Sequence, residues 1–148
     1  MKKTTTIALA FALTLLLSGL AFAMDMNHAD MKAGDMTMQE SMKVMKENLQ
    51  LMHKDVAAMK APAGRAEAMK AMDTHMTDMH HGMAGMETNA KKSGNQKMEA
   101  SMKQMNKDMM TTMKGMGVMK KDADKGMELM MDGINKMEKT MSTMQGMM

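Results

Sequence analysis

Apolar residues recur along the 148-residue chain in steps of three and four, and one run, Met38, Met42, Met45, Leu49, Met52, Val56 and Met59, keeps a/d heptad spacing without a break. That spacing predicts a helix with a single narrow apolar seam. Thr37, with Glu40 three residues on, predicts a capping box at its start, and Ala61-Pro62-Ala63-Gly64 predicts its end. A second seam runs Met69, Met72, Met76, Met79, Met83, Met86; Gly82 and Gly85 weaken its last turn, and the polar stretch 87–96 predicts a loop. The third seam, Met98, Met102, Met105, Met109, Met113 and Met116, follows Ser93 or Asn95 as candidate cap. Gly115 and Gly117 interrupt it, each costing roughly 1 kcal/mol inside a helix relative to alanine, which predicts a break between Gly117 and Gly126. A fourth seam continues as Met127, Met130, Ile134, Met137, Met141, Met144 and Met148. No strand pattern is visible. The expected fold class is all-α, an antiparallel helical bundle or a set of helical hairpins built from about four amphipathic helices.

Ahead of these seams, Lys2 and Lys3 precede an apolar run from Ile7 to Leu17 and the small-x-small site Ala21-Phe22-Ala23. This is the pattern of a cleaved secretory signal peptide over 1–23, with Met24 as the first exported residue. Residues 24–36 have no clear period and are expected as a flexible arm, leaving 37–148 as a Met-rich helical domain. The run at 7–17 is short for a membrane span, so stable membrane insertion is not expected. The chain has no cysteine, so neither a lipoprotein anchor, a disulfide nor a thiolate metal site is expected.

Composition changes the picture of the core. Methionine makes up about a quarter of the exported chain, both phenylalanines lie in the leader, and the branched aliphatics are only Val44, Leu49, Leu51, Val56, Val118, Leu129 and Ile134. A core of methionine and alanine packs adaptably and specifies a unique arrangement poorly, so loose packing is expected, with partial disorder of the metal-free chain as the competing expectation. The formal charge of +3 includes Lys2 and Lys3, and acidic and basic residues are interspersed. Nucleic acid is therefore not expected as a partner.

Candidate chemistry concentrates in "DTHMTDMHHGMAGM", residues 73–86. Thioethers favour soft ions such as Cu(I), need no deprotonation to bind, and pose no disulfide risk in an oxidising compartment; imidazole also accepts copper. Side chains three and four apart on a helix are neighbours. Met72, His75, Met76 and Met79 therefore form one quartet of three sulfurs and an imidazole, and Met76, Met79, His80 and Met83 form another. On the arm, His28 could join Met26 and Met31, with ligand and non-ligand readings equally weighted. His81 falls off the seam face, and His53 reads as a surface residue. Against all this, a methionine stripe at a/d spacing is ordinarily core. Two features oppose packing as the sole role: leucine would specify a seam better, and Met24, Met26, Met31, Met36, Met110, Met131 and Met147 lie off the seams. No nucleophile elbow, phosphate loop or paired acid is present, so the chain is not expected to be an enzyme.

The leader, the absent cysteine and "MDTHMTDMHHGM" make the chain similar in composition to the Met-rich, His-containing periplasmic proteins of bacterial copper and silver resistance systems. The resemblance implies a periplasmic location, Cu(I), Ag(I) or Cu(II) as the bound ion, a contribution to copper tolerance by sequestering or delivering it, and periplasmic metal-efflux or oxidase components as partners. Two other expectations stand beside it. One is a Met-rich interaction or chaperone-like protein, whose adaptable faces grip other chains. The other is a methionine-based oxidant scavenger.

Overall fold

The structure, a computed structural model, describes residues 35–148. The expected leader and the arm through residue 34, with His28, Met26 and Met31, lie outside the described residues. Four helices follow in order: α1 over Met38–Ala58, α2 over Arg65–Ser93, α3 over Gln96–Met119 and α4 over Ala123–Gln145. A short 3-10 turn, Pro62–Gly64, joins α1 to α2. α1 pairs with α2 and α3 with α4 as antiparallel hairpins; α1 also lies beside α4 and α2 beside α3, which closes a four-helix bundle.

Local chemistry sets the ends. Thr37 caps α1 through a full capping box, its hydroxyl accepting from the Glu40 N–H while the Glu40 carboxylate accepts from the Thr37 N–H. The Pro62 turn closes the other end, where Arg65 Nε donates to the Met59 carbonyl at 3.0 Å. The side chains of Asn95 and Asp122 cap α3 and α4 by accepting from the N–H groups of Met98 and Lys125. The break between the last two helices therefore falls inside the expected window, at residues 120–122.

The expected loop over 87–96 is instead helix through Ser93, leaving only Gly94 and Asn95 between α2 and α3. Ala90 is fully buried there, and Lys91 pairs with Glu87 at 2.7 Å one turn earlier, so a stretch polar in composition still has an inner face. Gly94 ends α2 at φ 65°, a left-handed conformation that glycine adopts without steric penalty.

The core is methionine. Met45, Met52, Met72, Met79, Met98, Met105, Met130 and Met137 are all solvent-free, with Ile134 and Leu49 among the few branched side chains between them. α3 departs from its expected seam. Its C-terminal half turns Asp108, Thr112, Gly115 and Met119 inward and leaves Met113 exposed. These residues meet Gly126, Met130 and Gly133 of α4 in one register, Thr112 against Gly133, Gly115 against Met130 and Met119 against Gly126. Each layer sets a glycine against a larger neighbour. A Cβ at Gly115 would come within 2.7 Å of the Met130 backbone nitrogen, and one at Gly126 within 2.5 Å of the Met119 Cα. The glycines that suggest helix breaks from sequence thus let two backbones approach.

A candidate metal site between α2 and α3

Successive helical residues turn by about 100°, so His75 and His80 stand roughly 140° apart around α2. The methionine seam lies between them. His75 turns toward α1, where its Nδ1 is 2.7 Å from Asp55 Oδ2. His80 turns the opposite way, toward α3. The two quartets expected along α2 therefore separate: Met72, Met79 and Met83 lie in the dry core, Met76 lies at the margin of that core, and the histidines flank it on opposite sides.

On the α3 side Met76 and His80 help to line an open groove of about 310 Å³ with Asp73, Thr77, Met109 and Met113. Each helix contributes a pair at i and i+4, Met76 with His80 and Met109 with Met113, so both side chains of a pair project the same way. The hairpin turns at Gly94–Asn95, and residues equidistant from that turn face each other, which places Met76 across from Met113 and His80 across from Met109. The floor is formed by Met76 and Met109, each 7% exposed, and the rim by the exposed His80 and Met113. Three thioethers and one imidazole thus surround a single solvent-facing opening, with the Asp73 carboxylate beside it.

The other histidines differ in their surroundings. The Asp55 carboxylate accepts from His75 Nδ1–H, and His53 Nε2 lies 3.6 Å from Glu138 Oε2. No hydrogen bond or ion pair joins the His80 ring to another described residue, so both its nitrogens face the groove or solvent without competition. His81 is exposed.

Toward the turn the same interhelical surface becomes charged, lined by Glu87, Lys91, Glu99, Met102, Lys103 and Asn106. There the hydrogen bond from Lys91 to Glu87, and the charge of that carboxylate, raise the Lys91 ammonium above its ordinary pKa. Among the described residues no three His, Cys, Asp or Glu side chains converge in a way that could hold a metal ion. A site here must draw on sulfur. Three soft donors with one nitrogen suit a d10 monovalent ion, whereas Cu(II) prefers several nitrogen or oxygen donors in a tetragonal arrangement.

Helical spacing within α2 alone does not reach Met109 and Met113. Their signal in the sequence is the repeat of a soft i, i+4 pair at equal distance from the turn, which can be read only once the hairpin is known. No described helix is long and apolar enough to cross a membrane. The chain matches no family model, no characterised protein and no solved structure in comparison.

Proposed function

We propose that the chain binds a soft monovalent cation, Cu(I) or Ag(I), in the α2–α3 groove, and so sequesters or delivers that ion after export to the periplasm. The observation that carries this reading is the convergence of Met76, His80, Met109 and Met113 on one solvent-open groove from two helices. Met113, 56% exposed, contributes little to the core, and leucine would fill the floor positions equally well. An open, shallow site whose ligands sit at a helix surface suits exchange of the ion with a partner more than permanent burial. Periplasmic efflux or oxidase components are the partners this reading implies, and copper tolerance its physiological role.

Burial of the seams favours this reading over the chaperone-like one. Most of the seam methionines are inside, so among the described residues the greater part of the thioether surface is not offered to a client chain. The test is titration of the purified chain with Cu(I) against a competing chelator, followed by X-ray absorption on the loaded protein. The expected result is at least one ion per chain at submicromolar affinity, a first shell dominated by sulfur with one nitrogen, and loss of the tightest site in Met109→Leu and Met113→Leu. Absence of binding at micromolar concentrations, or a shell without sulfur, overturns the proposal.

A further inference from the structure

The four groove ligands are not equally accessible. Met76 and Met109 sit at the floor, 7% exposed, while Met113 is 56% exposed at the rim. Oxidation of methionine follows solvent access, so an oxidant reaches Met113 before the other two sulfurs. Met110, one position on from Met109, is 68% exposed and does not line the groove. It is an internal control placed by the fold beside the site, more open to oxidant than Met113 and outside the groove lining.

Resting on the reading of the groove as a soft-cation site, we propose that Met113 is a redox-controlled ligand: its oxidation by a hydroperoxide releases the cation, and a bound cation protects it. In the forward step the Met113 sulfur lone pair attacks one peroxide oxygen; the S–O bond forms as the O–O bond breaks. With hydrogen peroxide the departing hydroxide takes the proton of the transferred oxygen and leaves as water. Sulfur loses two electrons and the peroxide gains them. The sulfoxide presents a hard oxygen where a soft sulfur donor stood, and the four donors, three sulfurs and a nitrogen, fall to two sulfurs and a nitrogen. Reduction by a thiol-dependent sulfoxide reductase returns the thioether, two thiols becoming a disulfide and the oxygen leaving as water.

Protection works through the same sulfur atom. Donation of one pair to the cation draws electron density from the sulfur and makes its remaining pair a weaker nucleophile, so loading the groove slows oxidation of Met113 and leaves Met110 unaffected. The ion for the test is Ag(I), which does not cycle between oxidation states with peroxide as copper does.

The full chain is treated with limiting hydrogen peroxide, with and without one equivalent of Ag(I), and sulfoxide is assigned to each methionine by tandem mass spectrometry. Among the described residues, metal-free protein is expected to oxidise first at Met110, Met113 and Met148. Ag(I) is expected to slow Met113 by about tenfold, with Met110 unchanged. In a Met110→Leu, Met148→Leu background, protein carrying the Met113 sulfoxide is expected to bind Ag(I) about tenfold more weakly, and a sulfoxide reductase to restore the affinity. If Ag(I) binds but Met113 and Met110 oxidise as in the metal-free chain, or the Met113 sulfoxide binds Ag(I) as tightly as the thioether, the redox control is wrong; the groove site then stands if Met76→Leu and Met109→Leu weaken Ag(I) binding, and falls with it if they do not. If Ag(I) does not bind at all, the reading of the groove fails and the redox control with it.

Discussion

His75 Nδ1 and Asp55 Oδ2 lie 2.7 Å apart, joining α2 to α1 on the side of the bundle away from the groove. Asp55 is buried and His75 is about four-fifths covered, so each polar group depends on the other for its hydrogen bond. This contact fixes the His75 ring and ties α2 to α1. His75→Ala is expected to lower the unfolding free energy by about 1–3 kcal/mol, because it leaves a buried carboxylate oxygen without its partner. Cu(I) affinity at the groove should stay within about twofold of the parent, as expected for sites without shared partners. Urea melts and a chelator competition on the same variant check both halves.

The glycines of α3 and α4 divide into two kinds. A Cβ at Gly133 would meet Thr112 Oγ1 and, at 2.8 Å, the Asp108 carbonyl oxygen and the Thr112 nitrogen, whereas a Cβ at Gly117 would meet nothing. Gly133→Ala is expected to destabilise the bundle by about 1–3 kcal/mol through forced separation of two backbones. Gly117→Ala is expected to stabilise it by about 0.5–1 kcal/mol, since the helix loses only glycine's backbone entropy cost. Thermal melts of the two variants should move in opposite directions.

Where the sequence succeeds and where it falls short has a physical basis. The capping box at Thr37, the end of α1 at Pro62 and the cap at Asn95 are local devices, complete within four residues, and the structure reproduces each. The a/d seams of α1, α2 and α4 also hold, apart from Met148, which lies beyond α4 and is exposed, because one apolar face admits one inward orientation. In α3 methionine lies on two adjacent faces, and the inward one is decided by close approach: Asp108, Thr112 and Gly115 face the glycines of α4, and Met113 is pushed out to the groove. Glycine is thus ambiguous in a sequence between a break and a helix contact. The same holds for buried Ser41, Asn48 and Asp55, spaced by sevens along α1, whose inward orientation nothing in their polarity announces. Of the candidate ligands, Met76 and His80 reach the groove, but their partners across it depend on a hairpin register that no single helix encodes.

That register depends on a turn of two residues. At φ 65°, Gly94 carries a conformation costing an L side chain about 1–2 kcal/mol. Gly94→Ala is expected to destabilise by about that amount, and Gly94→Asn by less, because asparagine tolerates the left-handed region better. Chemical denaturation of the pair, compared with Gly117→Ala as a helix-propensity control, resolves the turn from general helix effects.

Proton competition separates the one nitrogen ligand of the groove from its three sulfurs. A thioether has no proton to exchange, while a protonated imidazole has no lone pair for a metal. Affinity for Ag(I) should therefore fall on acidification if His80 supplies a ligand. His80→Met should bind with an affinity that acidification leaves flat, since all four donors are then thioethers. Asp73 is the only carboxylate among the residues lining the groove, and Asp73→Asn tests whether it contributes to the slope. The profile should survive in Asp73→Asn and in His75→Ala, and vanish in His80→Met. A slope that persists in His80→Met assigns the titration to a histidine elsewhere in the chain and removes His80 from the site.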